Sequence, residues 1–475
     1  MLFPTPEYAL FFLVVFAAAW ATRRDLFTHK TLLLGASYFF YGFWDWRFLP
    51  LLIGISLVAA VVGRRLQVED RPGVRKAFLA GGVSLALSAL AVFKYLGFAS
   101  AAVVQLLDLL GLRHTPVSLP EVALPVGVSF FVFHGISLMV DAWRGKIPVR
   151  ITYLDSLLYV AFFPQLVAGP ILRASSFLPQ LSTLPDPSTI DAARALELIL
   201  VGLAKKVLVA SYLATKLVDP VFASPAEHSG LEALLGVYAY AGQIYCDFSG
   251  YTDMAIGSAL LLGYRFPGNF DSPYHATSPQ EFWHRWHISL SSWLRDYLFI
   301  PLGGSRLGPN RTLVNLALTM ILGGLWHGAA WTFVLWGVFH GAGLIVHRLW
   351  SQLQAPAVVQ LRQSAIWPWV ARVLTFHFVC LGWILFRAPT LEATGEVLSA
   401  IASPWSSGPW LNALILLTIG AAVLGTWLPD SWRTAARTRF ARMPVTAQGA
   451  LFALLVLVIE AAGPTGIAPF IYFQF

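Results

Sequence analysis

Histidine is the side chain best suited to moving a proton near neutral pH, and this chain places histidines in two settings where that chemistry is available. The first is His327, in GGLWHGA, where Gly323, Gly324 and Gly328 leave room beside the imidazole for a second backbone or a substrate. Such a histidine is either a core group bonded across helices or a proton carrier. Taken alone, the residues favour the core reading, and their spacing identifies neither a nucleophile nor a metal. The second setting is EFWHRWHISLSSWLRD, in which Glu281, His284 and His287 fall at i, i+3 and i+6 and so on roughly one face of a helix. This is not the H-E-x-x-H spacing of a zinc site. It reads better as a polar helix lining a water-accessible cavity, with Trp283, Trp286 and Trp293 at an interface. Arg285, Arg295 and Asp296 crowd the same segment.

Composition decides what surrounds these residues. The chain has 475 residues, of which 57% are hydrophobic and 12% charged. Soluble domains carry roughly 25% charged residues, so this chain cannot clothe a water-facing surface of its size. It reads as an all-α, polytopic membrane protein forming a single domain over residues 1–475. The net charge of +8 resides in short loops, as the positive-inside rule expects, and does not point to nucleic acid. Cys246 and Cys380 lie in apolar runs and read as core residues. The first apolar run is followed, not preceded, by Arg23 and Arg24, so it reads as an uncleaved span with the N-terminus outside.

Apolar length places spans near residues 8–21, 31–44, 48–62, 77–98 and 124–140, with a marginal stretch at 101–112. The basic loops 23–30, 64–76, 142–152 and 433–442 then fall on the inside. Residues 161–178 are broken by Pro164 and Gly169-Pro170, which at membrane depth requires protein or a water-filled cavity to satisfy the backbone. Residues 190–219 read as an amphipathic helix, and 231–262 as a long apolar segment. Further spans are expected near 312–346, 365–387, 410–428 and 447–472. Asp247 and Asp253 would sit at membrane depth, where a charge costs about 2.5–3.5 kcal/mol on insertion scales. They are expected to be structural and paired inside the protein, with Arg265 or the Arg285/Arg295 group as partners. Serine-nucleophile elbows, P-loops and dinucleotide fingerprints are absent from the sequence, which gives no support to a triad hydrolase or a nucleotide-driven pump.

Taken together, these segments resemble the membrane-bound O-acyltransferase family, in its alginate O-acetyltransferase-like branch. The resemblance is carried by residues 245–275, 282–304 and 315–341, and extends to 37–52, 124–145, 162–173 and GWILFRAP at 382–389. It implies about ten to twelve transmembrane helices, with re-entrant or interfacial pieces, around a central tunnel. It also implies that His327 is catalytic, and that His287 is the second polar residue of the site. Trp283, Arg285, Trp286, Arg295, Asp296, Asn315 and Trp326 are expected along the tunnel or substrate path. His284 stands where arginine is more typical, which leaves that position without an assigned role.

On this resemblance the chain is an O-acyltransferase of the bacterial inner membrane. It would move acetyl from cytoplasmic acetyl-CoA, as a substrate and with no bound cofactor or metal, towards an exported polysaccharide such as alginate. A histidine reached from both faces would take the proton of the attacking hydroxyl, while His287 would orient the donor or stabilise the oxyanion. A separate periplasmic SGNH-type partner is expected to complete the transfer. Peptidoglycan is one alternative acceptor. D-alanyl transfer to teichoic acid is another reading, although that branch is usually shorter and lacks a part like the segment after about Ala400. A secondary transporter is the rival of another class, since intramembrane Asp, His and Arg also suit proton relays.

Overall fold

A computed structural model of the chain describes residues 1–112, 123–427, 430–464 and 468–473. The expected span at 410–428 ends, and that at 447–472 passes, through residues outside this set. The described residues are mostly helical, without strands. Among them, six stretches are long and apolar enough to cross a bilayer: Leu26–Val68, Pro72–Leu109, Ala192–Ala223, Trp331–Gln352, Trp367–Arg387 and Val445–Ala462. A bent pair, Ala413–Trp427 and Ser431–Ala441, makes a seventh if taken as one span, and Pro6–Ala21 and Val128–Trp143 are shorter apolar helices. In the first stretch, extended backbone at Asp45 divides two helices of 20 residues each, and each is about 30 Å long. Counting these separately raises the number towards the expected ten to twelve. Gly230–Leu261, at 32 residues, has the length to span but fails on apolarity.

The residues form two compact units. The first comprises Met1–Ile190 and Ser258–Phe266. Its centre is the helix Val128–Trp143, buried along almost its whole length. Small residues let neighbours approach it: Gly135 faces Ile55, and a methyl on Gly82 would come within 2.6 Å of the Met139 sulfur. With hydrocarbon outside, such close van der Waals packing takes the role that water exclusion plays in soluble cores. Lys30 and Asp155 form a buried ion pair at 2.6 Å. In the loop between Val68 and Pro72, Glu69 accepts from Arg65 and Arg71. Hydrogen bonds from Arg71 are the main reason its carboxyl is held down to about 2. That depressed value means the clamp is intact above the usual carboxylate range and is lost only as pH falls towards 2.

The second unit comprises Asp191–Gly257 and Pro267–Phe475. Here the helix Ala192–Ala204 continues through wider π turns at Lys205–Ser211 and Ala214–Val218. It crosses Gly230–Leu261 at two glycines. A methyl on Gly202 would lie 2.5 Å from the Gly250 carbonyl, and one on Gly250 would lie 2.7 Å from the Gly202 carbonyl. This contact brings the following residues within reach of the two aspartates. Lys206 pairs with Asp247 at 2.7 Å with both side chains buried, and Lys205 pairs with Asp253 at 2.7 Å. The arginines expected as partners are occupied elsewhere: Arg265 binds the Thr189 carbonyl, and Arg285 binds Asp271 and Glu281. The lysines were placed on an amphipathic helix by their sequence, but the glycine crossing turns them inward.

Removing one partner of such a pair leaves a buried charge and costs about 3–5 kcal/mol, whereas replacing both by apolar groups is often neutral. Lys206→Met should therefore lower the thermal midpoint of the detergent-solubilised protein more than Lys206→Met with Asp247→Leu. A double variant less stable than both single variants would contradict this account of the pair.

Candidate functional site

The stretch from Ser278 folds as two short helices, Pro279–Arg285 and Ile288–Leu294. The chain breaks at Trp286, which is extended, and at His287, where φ is 42° and ψ 55°. Among the described non-glycine residues only Ser272 shares a positive φ. A left-handed conformation costs a side-chain-bearing residue of order 1–3 kcal/mol and persists only where its surroundings fix it. The break also corrects the expectation of one helical face. Glu281 turns back to Thr277 and Arg285, His284 is exposed at a cavity, and His287 is fully buried elsewhere.

Asn269 does much of the fixing. Its main-chain carbonyl accepts from Ile288 N–H at 2.9 Å, and two residues on Asp271 N–H donates to the Arg285 carbonyl at 2.9 Å. The Asn269 side-chain oxygen accepts from Ser289 N–H at 3.0 Å and lies 3.3 Å from His287 Nδ1. Tyr274 donates to the Ala241 carbonyl at 2.6 Å, tying the same loop to the helix Gly230–Leu261.

His327 ends the helix Pro309–His327, and the chain returns as Trp331–Gln352. The two helices meet backbone to backbone. Gly324 lies against the Phe333 carbonyl, and a methyl on Gly337 would be 2.5 Å from the Met320 carbonyl. The small residues beside His327 thus accommodate a neighbouring helix as well as leaving space. Rings stand around the imidazole, among them Trp326 and Trp336 at 5.0 Å, Phe386 at 5.1 Å and Tyr472 at 5.6 Å.

The two histidines belong to one circuit of rings. His287 meets Phe248 edge-on at 4.6 Å, Phe248 meets Tyr472 at 4.9 Å, and Tyr472 lies against His327. Trp326 closes the circuit, 5.0 Å from His327 and 6.1 Å from His287. Tyr472 is held there by the ion pair described above, since Ile471 N–H donates to Asp247 at 2.9 Å and Lys206 donates to the Ala468 carbonyl at 2.6 Å. Asp247 therefore anchors a site residue as well as a helix crossing.

The other expected residues are spread around this centre. Trp283 and Trp286 join the aromatic wall through Trp336 and Trp383. Trp283, His284 and Arg295 line a cavity of about 500 Å³, with Ser291, Thr319 and Arg348 among its other walls. Arg295 is paired with Asp296 at 2.7 Å. Asn315 is fully buried and donates to the Gly304 carbonyl at 2.9 Å, holding a turn. Asp253 lies apart, with Lys205.

Sequence reading missed Asn269, Phe248, Tyr472 and His340. The last is buried between Trp283, Trp336 and Phe378, and neither ring nitrogen has a hydrogen-bond partner among the described residues. Asn269 carried one available signal, its place in the GNFDSPYH run that supports the resemblance.

The family model of the membrane-bound O-acyltransferase family matches residues 130–386. A probable alginate O-acetylase of Pseudomonas putida is 36% identical over all of both chains. A peptidoglycan O-acetyltransferase of Helicobacter pylori is 34% identical over 84% of this chain and 80% of its own. A teichoic acid D-alanyltransferase of Streptococcus thermophilus is 29% identical over 55% of this chain and 68% of its own. The chain belongs to the membrane-bound O-acyltransferase family, and it is an O-acyltransferase.

The left-handed backbone at His287 gives a direct test of strain. Glycine adopts positive φ without steric cost, so His287→Gly should melt at or above the temperature of His287→Ala, by about 1 kcal/mol of relieved strain. An alanine variant clearly more stable than the glycine variant would show that the position carries no strain.

Proposed function

We propose that this protein moves an acetyl group from cytoplasmic acetyl-CoA across the bacterial inner membrane for O-acetylation of an exported polysaccharide such as alginate. The observation that carries the reading is the circuit of rings joining His287 to His327, two histidines that both lie inside the region matched by the family model. The full-length similarity to a probable alginate O-acetylase supports the choice of acceptor. The cavity beside Trp283 supports an anionic donor, since His284, Arg295 and Arg348 line it.

In this mechanism His327 is the general base. It takes the proton of the acceptor hydroxyl as the oxygen attacks the thioester carbonyl. The carbon–oxygen bond forms, the carbon–sulfur bond breaks, and the imidazolium returns its proton to the departing thiolate. The surrounding rings exclude water that would otherwise hydrolyse the thioester. His287 acts on the acyl group, either by orienting the donor or by stabilising the developing oxyanion. A separate periplasmic SGNH-type protein completes delivery to the polymer. The N-terminus lies outside, which puts the basic loops within the cytoplasm.

Peptidoglycan is a second reading of the acceptor, favoured by the Helicobacter pylori relative. Deleting the gene and measuring base-labile acetate on purified exopolysaccharide and peptidoglycan separately distinguishes the two. The wild-type gene should restore acetate on exopolysaccharide, and His327→Ala should restore it at least about 100-fold less well, the lower end of a general base's contribution. Full restoration by a stably expressed His327→Ala protein would remove His327 from the mechanism.

A further inference from the structure

The geometry points to Asn269 as a positioning residue that holds neutral His287 with its proton on Nδ1. His287 then presents the lone pair of Nε2 to the substrate, and so binds a hydrogen-bond donor and not the acyl oxygen. This rests on the transferase reading given above and decides between the two roles left open for His287.

The argument begins with a donor whose identity is fixed. Ser289 N–H points at the Asn269 side chain at 3.0 Å. A backbone N–H can only donate, so the atom facing it is the amide oxygen. The same oxygen lies 3.3 Å from His287 Nδ1. An oxygen only accepts, so Nδ1 carries the hydrogen. Ser289 Oγ lies farther away, at 3.5 Å from Nδ1, and a hydroxyl accepts as readily as it donates, so it does not oppose this assignment. With Nδ1 protonated, neutral imidazole leaves Nε2 as an acceptor. Nε2 is buried and has no hydrogen-bond partner among the described residues.

A lone pair directed at a developing oxyanion repels it. A hydroxyl, thiol or amide N–H of the substrate satisfies it. His287 accordingly orients the donor through one of the donor's own hydrogens, and the negative charge formed during transfer is met by other groups. The Asn269 amide nitrogen also lacks a partner among the described residues. An aspartate there would keep both accepted hydrogen bonds and lose no bond of the amide nitrogen, whereas a leucine would lose both.

The decisive measurement is the 15N spectrum of the intact, detergent-solubilised protein labelled at histidine, with His287→Gln used to assign the signal. A protonated Nδ1 and an unprotonated Nε2 at neutral pH are expected. The reverse pattern overturns the inference whatever the enzyme's activity, and so separates its failure from that of the transferase reading. In membranes supplied with radiolabelled acetyl-CoA, Asn269→Leu should lower label transfer to polymer by about 100-fold or more, as loss of a tautomer-fixing partner does elsewhere. Asn269→Asp should recover it to within tenfold of wild type. Leucine and aspartate variants that fold and transfer at the wild-type rate would also overturn the assignment.

Discussion

The ion pair of Lys206 and Asp247 is the interaction on which most of the second unit depends. Its two side chains are only 1% and 3% exposed, and buried charges persist only when paired and further hydrogen-bonded. Each partner meets that demand by holding a third element, the segment 468–472, through the Ala468 carbonyl and the Ile471 N–H. Three pieces of chain distant in sequence thus share one electrostatic knot. The knot requires the glycine crossing of Gly202 and Gly250, because a β-carbon on either residue would push the helices apart.

What the knot supports is chemically plain. The histidines are set among aromatic rings, which supply volume, rigidity and exclusion of water. Their differences come from the backbone. His327 ends a helix that is fixed by close glycine contact with the next one. His287 occupies a left-handed corner that the Asn269 bonds hold in place. A site made this way depends little on mobile loops and heavily on a few exact close approaches.

The sequence made the class of protein legible because composition alone excludes a soluble surface, and spans follow from apolar length. His327 was visible as a polar residue among small ones, though only the neighbouring motifs raised it from a core residue to a candidate base. Periodicity misled at Glu281, His284 and His287, because nothing in a spacing of three announces that the last of them is a left-handed residue beyond the helix end. The partners of Asp247 and Asp253 were misread for a related reason. Lys205 and Lys206 are adjacent in sequence and look like one polar face, and only a crossing of two helices shows that both turn inward. Asn269 is marked only by its place in the 245–275 run, and Tyr472 not at all, because long-range placement such as that of Tyr472 has no local signature.

Trp283 belongs both to the lining of the cavity and to the aromatic wall, where it meets Trp336, which in turn lies against His327. Close-packed interiors transmit displacement and do not absorb it. Bulk added or removed at this indole would be felt at the imidazole two rings away. The cavity wall and the surroundings of His327 are thus mechanically in series, so that neither can be reshaped alone.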